Sequence, residues 1–366
     1  MTEKRKMPKP LKIAIISVCS LVGVVLLAAV AYVGYVLIDY SRIEDNTVLQ
    51  ADNRGSDSGV KVGETYTVFS QNIGFGAYTS DYSFFMDGGE KSWAESEESV
   101  IDCVNMAADT TNSFSPDFAL FQEVDTDSTR SYHVDQQKII TDRFSKHSNV
   151  FAVNYHSAFL FYPFDEPHGA SNSGLLTLSR FNISSSVRRS LPISTGFSKF
   201  LDLDRCYSVS KIPTENGKEL VIYNVHLSAY GGSPEIREAQ MTMLFTDIKS
   251  EYDEGNYIIC GGDFNHDFTT DSRQKLNGEN ALDFDWAQPF PTEMLPQGFS
   301  TCTDYDGEYV PTCRNTDAPY YDGCFTVILD GFIISENVEC VSVKNIDTGF
   351  EYSDHNPVVL MFSLTD

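Results

Sequence analysis

The 366-residue chain reads as an α/β fold carrying one N-terminal transmembrane helix. Two patterns predict it. From Ile13 to Ile38 the chain is apolar and uncharged for 26 residues, more than the ~20 that a helix needs to cross a bilayer. From Thr65 onward, short runs rich in Val, Ile, Phe and Tyr alternate with stretches of helical spacing, and such alternation builds a layered α/β body.

The first element is the apolar run. Lys4, Arg5, Lys6, Lys9 and Lys12 precede it, so residues 1–12 are expected on the inner side of a membrane and the rest of the chain outside. Ala29-Val30-Ala31 offers a small-residue cleavage pattern, but signal sequences usually hold ~7–15 apolar residues. The run therefore reads as an uncleaved single-pass anchor over 13–38 in the cell membrane. Residues 39–63 lack apolar periodicity and are rich in Asp, Asn, Ser and Gly, which predicts a flexible stalk. Residues 64–366 are left for one extracellular catalytic domain.

Charge and cysteines bound the function further. Residues 41–366 hold 21 Lys and Arg against 50 Asp and Glu, a net −29. That charge opposes tight non-specific nucleic-acid binding through phosphate contacts, although a bound divalent ion would reverse the field locally. The absence of any Cys-x-x-Cys pair argues against a structural zinc site. Cys260 reads as a packed core thiol. Cys302, Cys313 and Cys324 share a long polar stretch where a disulfide could persist, with the pairing open.

Candidate strands follow in order at Thr65–Ser70, Phe118–Gln122, Val150–Val153, Leu175–Ser179, Cys206–Ile212, Leu220–His226, Tyr257–Gly261, Val327–Ile334, Val338–Val343 and Val358–Phe362. Helices are expected at Glu97–Asn112, Ser128–Phe144 and Pro234–Glu251, the last with Ile236, Ala239, Met243, Leu244 and Ile248 near helical spacing. Tyr78–Ser96 and Phe268–Phe325 read as long loops, which in a compact domain usually serve function. They are expected to overhang a pocket and set substrate choice.

Five segments place polar groups where strands should stop: Ser70-Gln71-Asn72, Gln122-Glu123-Val124-Asp125, Asn224-Val225-His226-Leu227, Gly262-Asp263-Phe264-Asn265 and Ser353-Asp354-His355. Strand ends hold side chains at fixed geometry. Glu123 follows an apolar strand, where a carboxylate is costly unless paired or bound to a metal. Asn72 offers an amide oxygen and an amide donor. His226 closes its strand before the turn Leu227–Gly232. Asp263 and Asn265 are two apart and share a face on an extended strand. Asp330 sits within an apolar run, where an unpaired carboxylate is costly. Together these groups suit metal-assisted attack of water on a phosphate ester. No Walker-type loop, Gly-x-Ser-x-Gly elbow or His-Glu-x-x-His is present, which removes other hydrolase mechanisms.

In order and wording, Gly262-Asp263-Phe264-Asn265 with the terminal Ser353-Asp354-His355 resembles the endonuclease/exonuclease/phosphatase superfamily over roughly residues 64–364. The resemblance implies a two-sheet α/β sandwich with outer helices. It implies a metal site of Asn72, Glu123 and Asp354 for Mg²⁺ or Mn²⁺, with Glu123 the principal ligand. It implies catalytic roles for five residues. Asp263 positions or activates water, and Asn265 binds phosphate and steadies Asp263. His226 donates to the scissile phosphate or leaving group, and Asp330 with His355 forms an acid–base dyad. Arg314 is a candidate for meeting a substrate phosphate.

The expected activity is a metal-dependent phosphodiesterase of nuclease type. A sphingomyelinase-like phospholipid diesterase, an inositol-phosphate phosphatase and a non-catalytic surface binding protein are the alternatives. The expected partners are a phosphate-ester substrate (nucleic acid, phospholipid headgroup or small phosphodiester) and the membrane, with no obligate protein partner.

Overall fold

Both faces of the central strands are apolar, and they bury different cores. Tyr66, Val68, Phe118 and Leu120 point one way, against Leu220, Ile222, Tyr257, Ile259 and Phe332 of a second sheet. Phe69, Ala119 and Phe121 point the other way, under a helix. On the second sheet Val221, Tyr223, Val225, Ile258 and Cys260 likewise face outward beneath another helix. Strict alternation with both faces covered dictates four layers, helix–sheet–sheet–helix. Each fully buried aliphatic or aromatic side chain contributes about 1.5–3 kcal/mol.

The computed structural model describes residues 7–366 except 197–198, 200–203, 230–232, 280–283, 285 and 304–308. The basic residues Lys4–Lys6, the end of the turn after His226 (230–232) and parts of the second long loop lie outside the described residues. The chain divides into two units, 1–41 and 42–366. The first contains helix α1 (Lys9–Asp39), with no buried residue and long and apolar enough to span a membrane.

In the second unit the strands are β1 (Thr47–Val48), β2 (Thr65–Asn72), β3 (Phe118–Asp125), β4 (Ser148–Leu160), β5 (Gly169–Ser179), β6 (Ser185–Ser190), β7 (Cys206–Pro213) and β8 (Glu219–His226). They continue with β9 (Tyr257–Asp263), β10 (Phe299–Cys302), β11 (Cys313–Arg314), β12 (Thr326–Val327), β13 (Asp330–Ser335), β14 (Val338–Asn345) and β15 (Val358–Leu364). The helices are α2 (Glu97–Ser113), α3 (Gln136–Arg143), α4 (Pro234–Asp253) and the short α5 (Ser272–Asn277). One sheet runs β14-β15-β2-β3-β5-β4 and the other β1-β6-β7-β8-β9-β13-β10, with β11-β12 a separate ribbon. The fold is thus an α/β sandwich of two mixed sheets.

Each sheet contains one parallel pair among antiparallel neighbours, β2 with β3 and β8 with β9. Each of these pairs is joined by a helix, α2 or α4, as a parallel connection requires. The carboxyl ends of four strands therefore open on one edge. Asn72, Glu123, His226 and Asp263 all sit there, His226 directly opposite Asp263 in the register. Asp330 opens β13 opposite Asp263, and Asp354-His355 leads into β15 beside β2. This topology explains why residues far apart in sequence converge.

The structure departs from the sequence reading in several places. The helix expected over Ser128–Phe144 is a short turn, Thr129–Ser131, and then α3. Tyr132 and His133 between them are left-handed (φ 55° and 62°), which ends a right-handed helix. Asp135 caps the restart by accepting the Lys138 amide. The strand expected over Val327–Ile334 is broken at Ile328-Leu329, whose amides bond Ser272 Oγ and Thr312 Oγ1.

On α4 the buried stripe is Gln240, Met241, Leu244, Phe245 and Ile248. It is rotated because the Gln240 amide satisfies Ser228 Oγ and the Pro192 carbonyl. Residues 42–63, expected as a stalk without ordered partners, carry hydrogen bonds along the domain. The backbone amides of Leu49, Asp52 and Val60 donate to the carbonyls of Ser186, Asn149 and Pro213, and the Asn53 side chain bonds both backbone groups of Ile183. Cys302, Cys313 and Cys324, whose pairing the sequence leaves open, are free thiols.

Candidate active site

Asp263 is the hub. It is 1% exposed, and its Oδ1 accepts the Asn265 backbone amide at 2.9 Å. Its Oδ2 accepts the Asn72 side-chain amide at 3.1 Å. The same Oδ2 lies 3.6 Å from His226 Nε2 and 3.8 Å from His355 Nε2. Burial raises its pKa to about 7, opposed by the charge of His355. A carboxylate poised there can take a proton at neutral pH.

His355 Nδ1 bonds Asp330 Oδ2 at 2.8 Å, both side chains buried. Burial opposes the charged ring, yet Cys313, Asp330 and Asp263 hold His355 well above the ordinary histidine range. His226 behaves oppositely. Burial, with the charges of Arg205, His355 and Arg130, pushes it well below that range. Its nearness to Glu123 (3.9 Å) and Asp263 does not offset this, so the ring is neutral and can act as a hydrogen-bond donor. Two histidines with opposed shifts around one carboxylate provide distinct acid and base roles.

Glu123 is placed by a defect in the sheet. The β3–β5 register slips between Phe121 and Val124, and Glu123 sits at φ 55°. A bulge re-aims a side chain, and strain of this kind gathers at functional sites. Asn72 Nδ2 donates to Glu123 Oε1 at 3.2 Å as well as to Asp263, while Asn72 Oδ1 accepts the Gly74 amide. Asn72 thus bridges two carboxylates, with its oxygen engaged on the backbone.

Burial raises Asp354 to about 7; the charge of His355 opposes this and that of Glu123 adds to it. Glu123 and Asp354, two carboxylates lining one pocket, offer oxygen donors that suit a hard divalent cation. Asp263, Asp330 and His355 form a tighter group, with ligand atoms within 4.8 Å of one another. The two groups differ in their access to solvent. The Asp330–His355 bond engages Asp330 Oδ2 and His355 Nδ1 and leaves Asp330 Oδ1 buried without a partner, whereas Mg²⁺ keeps several waters. The Glu123 side chain is 27% exposed whereas that of Asp330 is 0%.

Glu123, His226, Asp263, Asn265, Asp354 and His355 line one pocket. Asn72 and Asp330 stand behind it, buried and bonded to those residues. Asn265 steadies Asp263 through its backbone, while its side-chain amide donates to the Leu227 carbonyl at 2.7 Å. Arg314 also reaches the pocket, but its guanidinium donates to the carbonyls of Thr79, Tyr82, Asn315 and Ala318. These bonds fasten loops and engage both terminal nitrogens, leaving Nε without a partner. Both long loops contribute lining, through Tyr78, Phe84 and Met86 and through Trp286, Asn315 and Thr316.

Several residues escaped sequence reasoning. Arg130 forms a buried bidentate pair with Asp125 (2.9 and 3.1 Å) and lies 3.8 Å over the Phe75 ring. Gln122 donates to Asn224 Oδ1 at 2.8 Å between the sheets, so two motif residues stitch the sandwich beneath the site. Asp125, four residues from a hydroxyl-rich turn and five from an arginine, was the available signal for the first.

The family model for the endonuclease/exonuclease/phosphatase family matches residues 104–355. Among solved structures, an endonuclease/exonuclease/phosphatase from Beutenbergia cavernae aligns with TM-score 0.54 and 16% identity, covering 82% of this chain and 72% of that one. TDP2 of D. rerio complexed with single-strand DNA product aligns at 0.50 and 13%, covering 82% and 99%. ANGEL2, a 2′,3′-cyclic phosphatase with adenosine-2′,3′-vanadate, aligns at 0.52 and 14%, covering 88% and 99%. At these identities the likeness shows the fold. Curated protein sequences yield no match. With a family model spanning most of the chain and the fold shared, the protein belongs to the endonuclease/exonuclease/phosphatase family, a family of phosphate-ester hydrolases.

Proposed function

We propose that the chain is a Mg²⁺- or Mn²⁺-dependent phosphodiesterase held at the cell membrane by α1, with its catalytic domain outside. The observation that carries this is the convergence on Asp263 Oδ2 of Asn72, His226 and His355 at 3.1–3.8 Å, beside Glu123. Glu123 and Asp354 would hold the cation, with Asn72 orienting Glu123, and the bound ion would supply charge stabilisation on the phosphoryl oxygens. Asp263 orients the attacking water and receives its proton. His355, fixed by Asp330 and protonated, donates a proton to the leaving oxygen, and the water proton taken up by Asp263 afterwards replaces it. Neutral His226 donates a hydrogen bond to a phosphoryl oxygen, and Asn265 keeps Asp263 aligned.

A nuclease-type substrate is the first reading, supported by the single-strand DNA product bound to TDP2 of D. rerio and the adenosine-2′,3′-vanadate bound to ANGEL2. One observation favours a phospholipid diester instead. Phe161, Tyr162 and Phe164 are 50%, 64% and 86% exposed, and Tyr162 packs on Phe85 next to the pocket residue Phe84. Aromatic side chains of this kind suit a membrane interface. The test is hydrolysis of bis(p-nitrophenyl) phosphate, plasmid DNA and sphingomyelin vesicles with Mg²⁺, Mn²⁺ or chelator. Chelator-sensitive cleavage is expected, and the substrate cleaved fastest names the class. Metal binding without turnover on any ester would favour a binding protein on this fold.

A further inference from the structure

One wall of the pocket comes from the β4–β5 ribbon. Val153 pairs with Gly174 and Tyr155 with Ser173, so Asn154 is the extra residue of a bulge. Asn154 is 2% exposed and Ser173 1%, and both line the pocket with Glu123, His226 and Asp263. Yet the Asn154 amide nitrogen and the Ser173 hydroxyl have no hydrogen-bond partner in the protein. Leaving a buried polar group unmatched costs about 1–3 kcal/mol, and most such groups in proteins are matched. Two of them meet at a bulge, a feature that re-aims side chains next to active sites.

Neither residue is needed for chemistry at phosphorus, which the Asp263 cluster covers. Nor does the nearby cation claim them, since Arg130 is matched by Asp125.

We propose that Asn154 and Ser173 form a specificity subsite for a hydrogen-bonding oxygen on the substrate beyond the scissile phosphate, either a hydroxyl or a second phosphoryl group. This rests on reading the pocket as a phosphate-ester site. A substrate with only a simple alkyl or aryl ester leaves the two groups unmatched. One that presents an oxygen there is selected, because sites built to bond an oxygen discriminate strongly against analogues lacking it.

Calorimetric titration of the full chain in detergent micelles with Mg²⁺ tests this with three non-hydrolysable probes: methylphosphonate, 3-hydroxypropylphosphonate and propane-1,3-diylbisphosphonate. At least one longer probe should bind about tenfold tighter than methylphosphonate, a difference of ~1.4 kcal/mol. A gain for the hydroxypropyl probe alone assigns a hydroxyl, and a gain for the bisphosphonate alone assigns a second phosphoryl group. Asn154→Ala and Ser173→Ala should each remove the gain while leaving methylphosphonate within twofold, and Ser173→Thr should restore it. Ser173→Ala removes a single oxygen, so it remains informative if Asn154→Ala fails to fold.

Equal affinity for all three probes, or a gain that survives both variants, overturns the subsite and assigns the wall to water. Failure of methylphosphonate alone to bind overturns the scissile-phosphate reading. Failure of all three overturns both.

Discussion

The electrostatics of single residues give the sharpest expectations. Asp354 is raised from 3.8 to about 7 by burial, with Glu123 adding to it. A group raised on folding stabilises the fold fully below its unfolded value, and that contribution is lost as pH climbs through about 7. A cation held by Asp354 and Glu123 needs the ionised form. Mg²⁺ should therefore raise the melting temperature more at pH 8 than at pH 5; an equal rise at both would contradict the assignment. The dyad separates from the metal in a second experiment. Asp330→Asn keeps the 2.8 Å contact to His355 but removes its charge. It should lower kcat by about 10²-fold or more while the Mg²⁺ midpoint for activation stays within twofold. A shifted midpoint with unchanged kcat would move Asp330 to the metal.

At this scale the sequence was legible where chemistry forced unusual placement. A carboxylate at the end of an apolar strand (Glu123) or inside one (Asp330) is costly without a role, and both stand out in the chain. Asn154, Ser173 and Arg130 were not legible. Asparagine and serine are common in loops and edges, and only the β4–β5 register shows that these two are buried and unmatched.

Among elements, the two parallel pairs do most to build the site. Their strand ends carry Asn72, Glu123, His226 and Asp263 to one edge, and the loops after them must approach closely. Gly74 shows how closely. It has φ +51°, and a Cβ there would lie 2.7 Å from Asp354 Oδ1 while also striking the Tyr78 ring. Gly74→Ala should lower the melting temperature by a few degrees and raise the Mg²⁺ midpoint several-fold by displacing Asp354. A variant with wild-type melting and midpoint would show that this turn does not position the carboxylate.

The strands were largely visible in the sequence because both of their faces are apolar. The exceptions share a cause. β6, Ser185–Ser190, is built around Arg188, which is 1% exposed and bonds the Val153 carbonyl and Ser190 Oγ. A strand stabilised by a buried guanidinium has no apolar signature. The expected helix over Ser128–Phe144 failed for a related reason: left-handed Tyr132 and His133 interrupt a pattern that periodicity alone reads as continuous.

For the whole molecule, the net −29 of residues 41–366 sets how substrates arrive. A polyanion is repelled over about 8–10 Å at moderate salt, and a small diester far less. Raising NaCl from about 20 to 150 mM at fixed Mg²⁺ should speed cleavage of plasmid DNA relative to bis(p-nitrophenyl) phosphate. A relative fall, as for proteins that bind phosphates through lysine and arginine, would reveal a basic track absent from this account.

The central claim is that Glu123 holds a divalent cation used in phosphodiester hydrolysis. The direct measurement is bis(p-nitrophenyl) phosphate turnover against Mg²⁺ for the wild type and Glu123→Gln, with folding checked by melting. The account predicts saturable activation abolished by EDTA, and a Glu123→Gln midpoint at least tenfold higher. Turnover that ignores EDTA, or a Glu123→Gln curve overlaying the wild type, would contradict it.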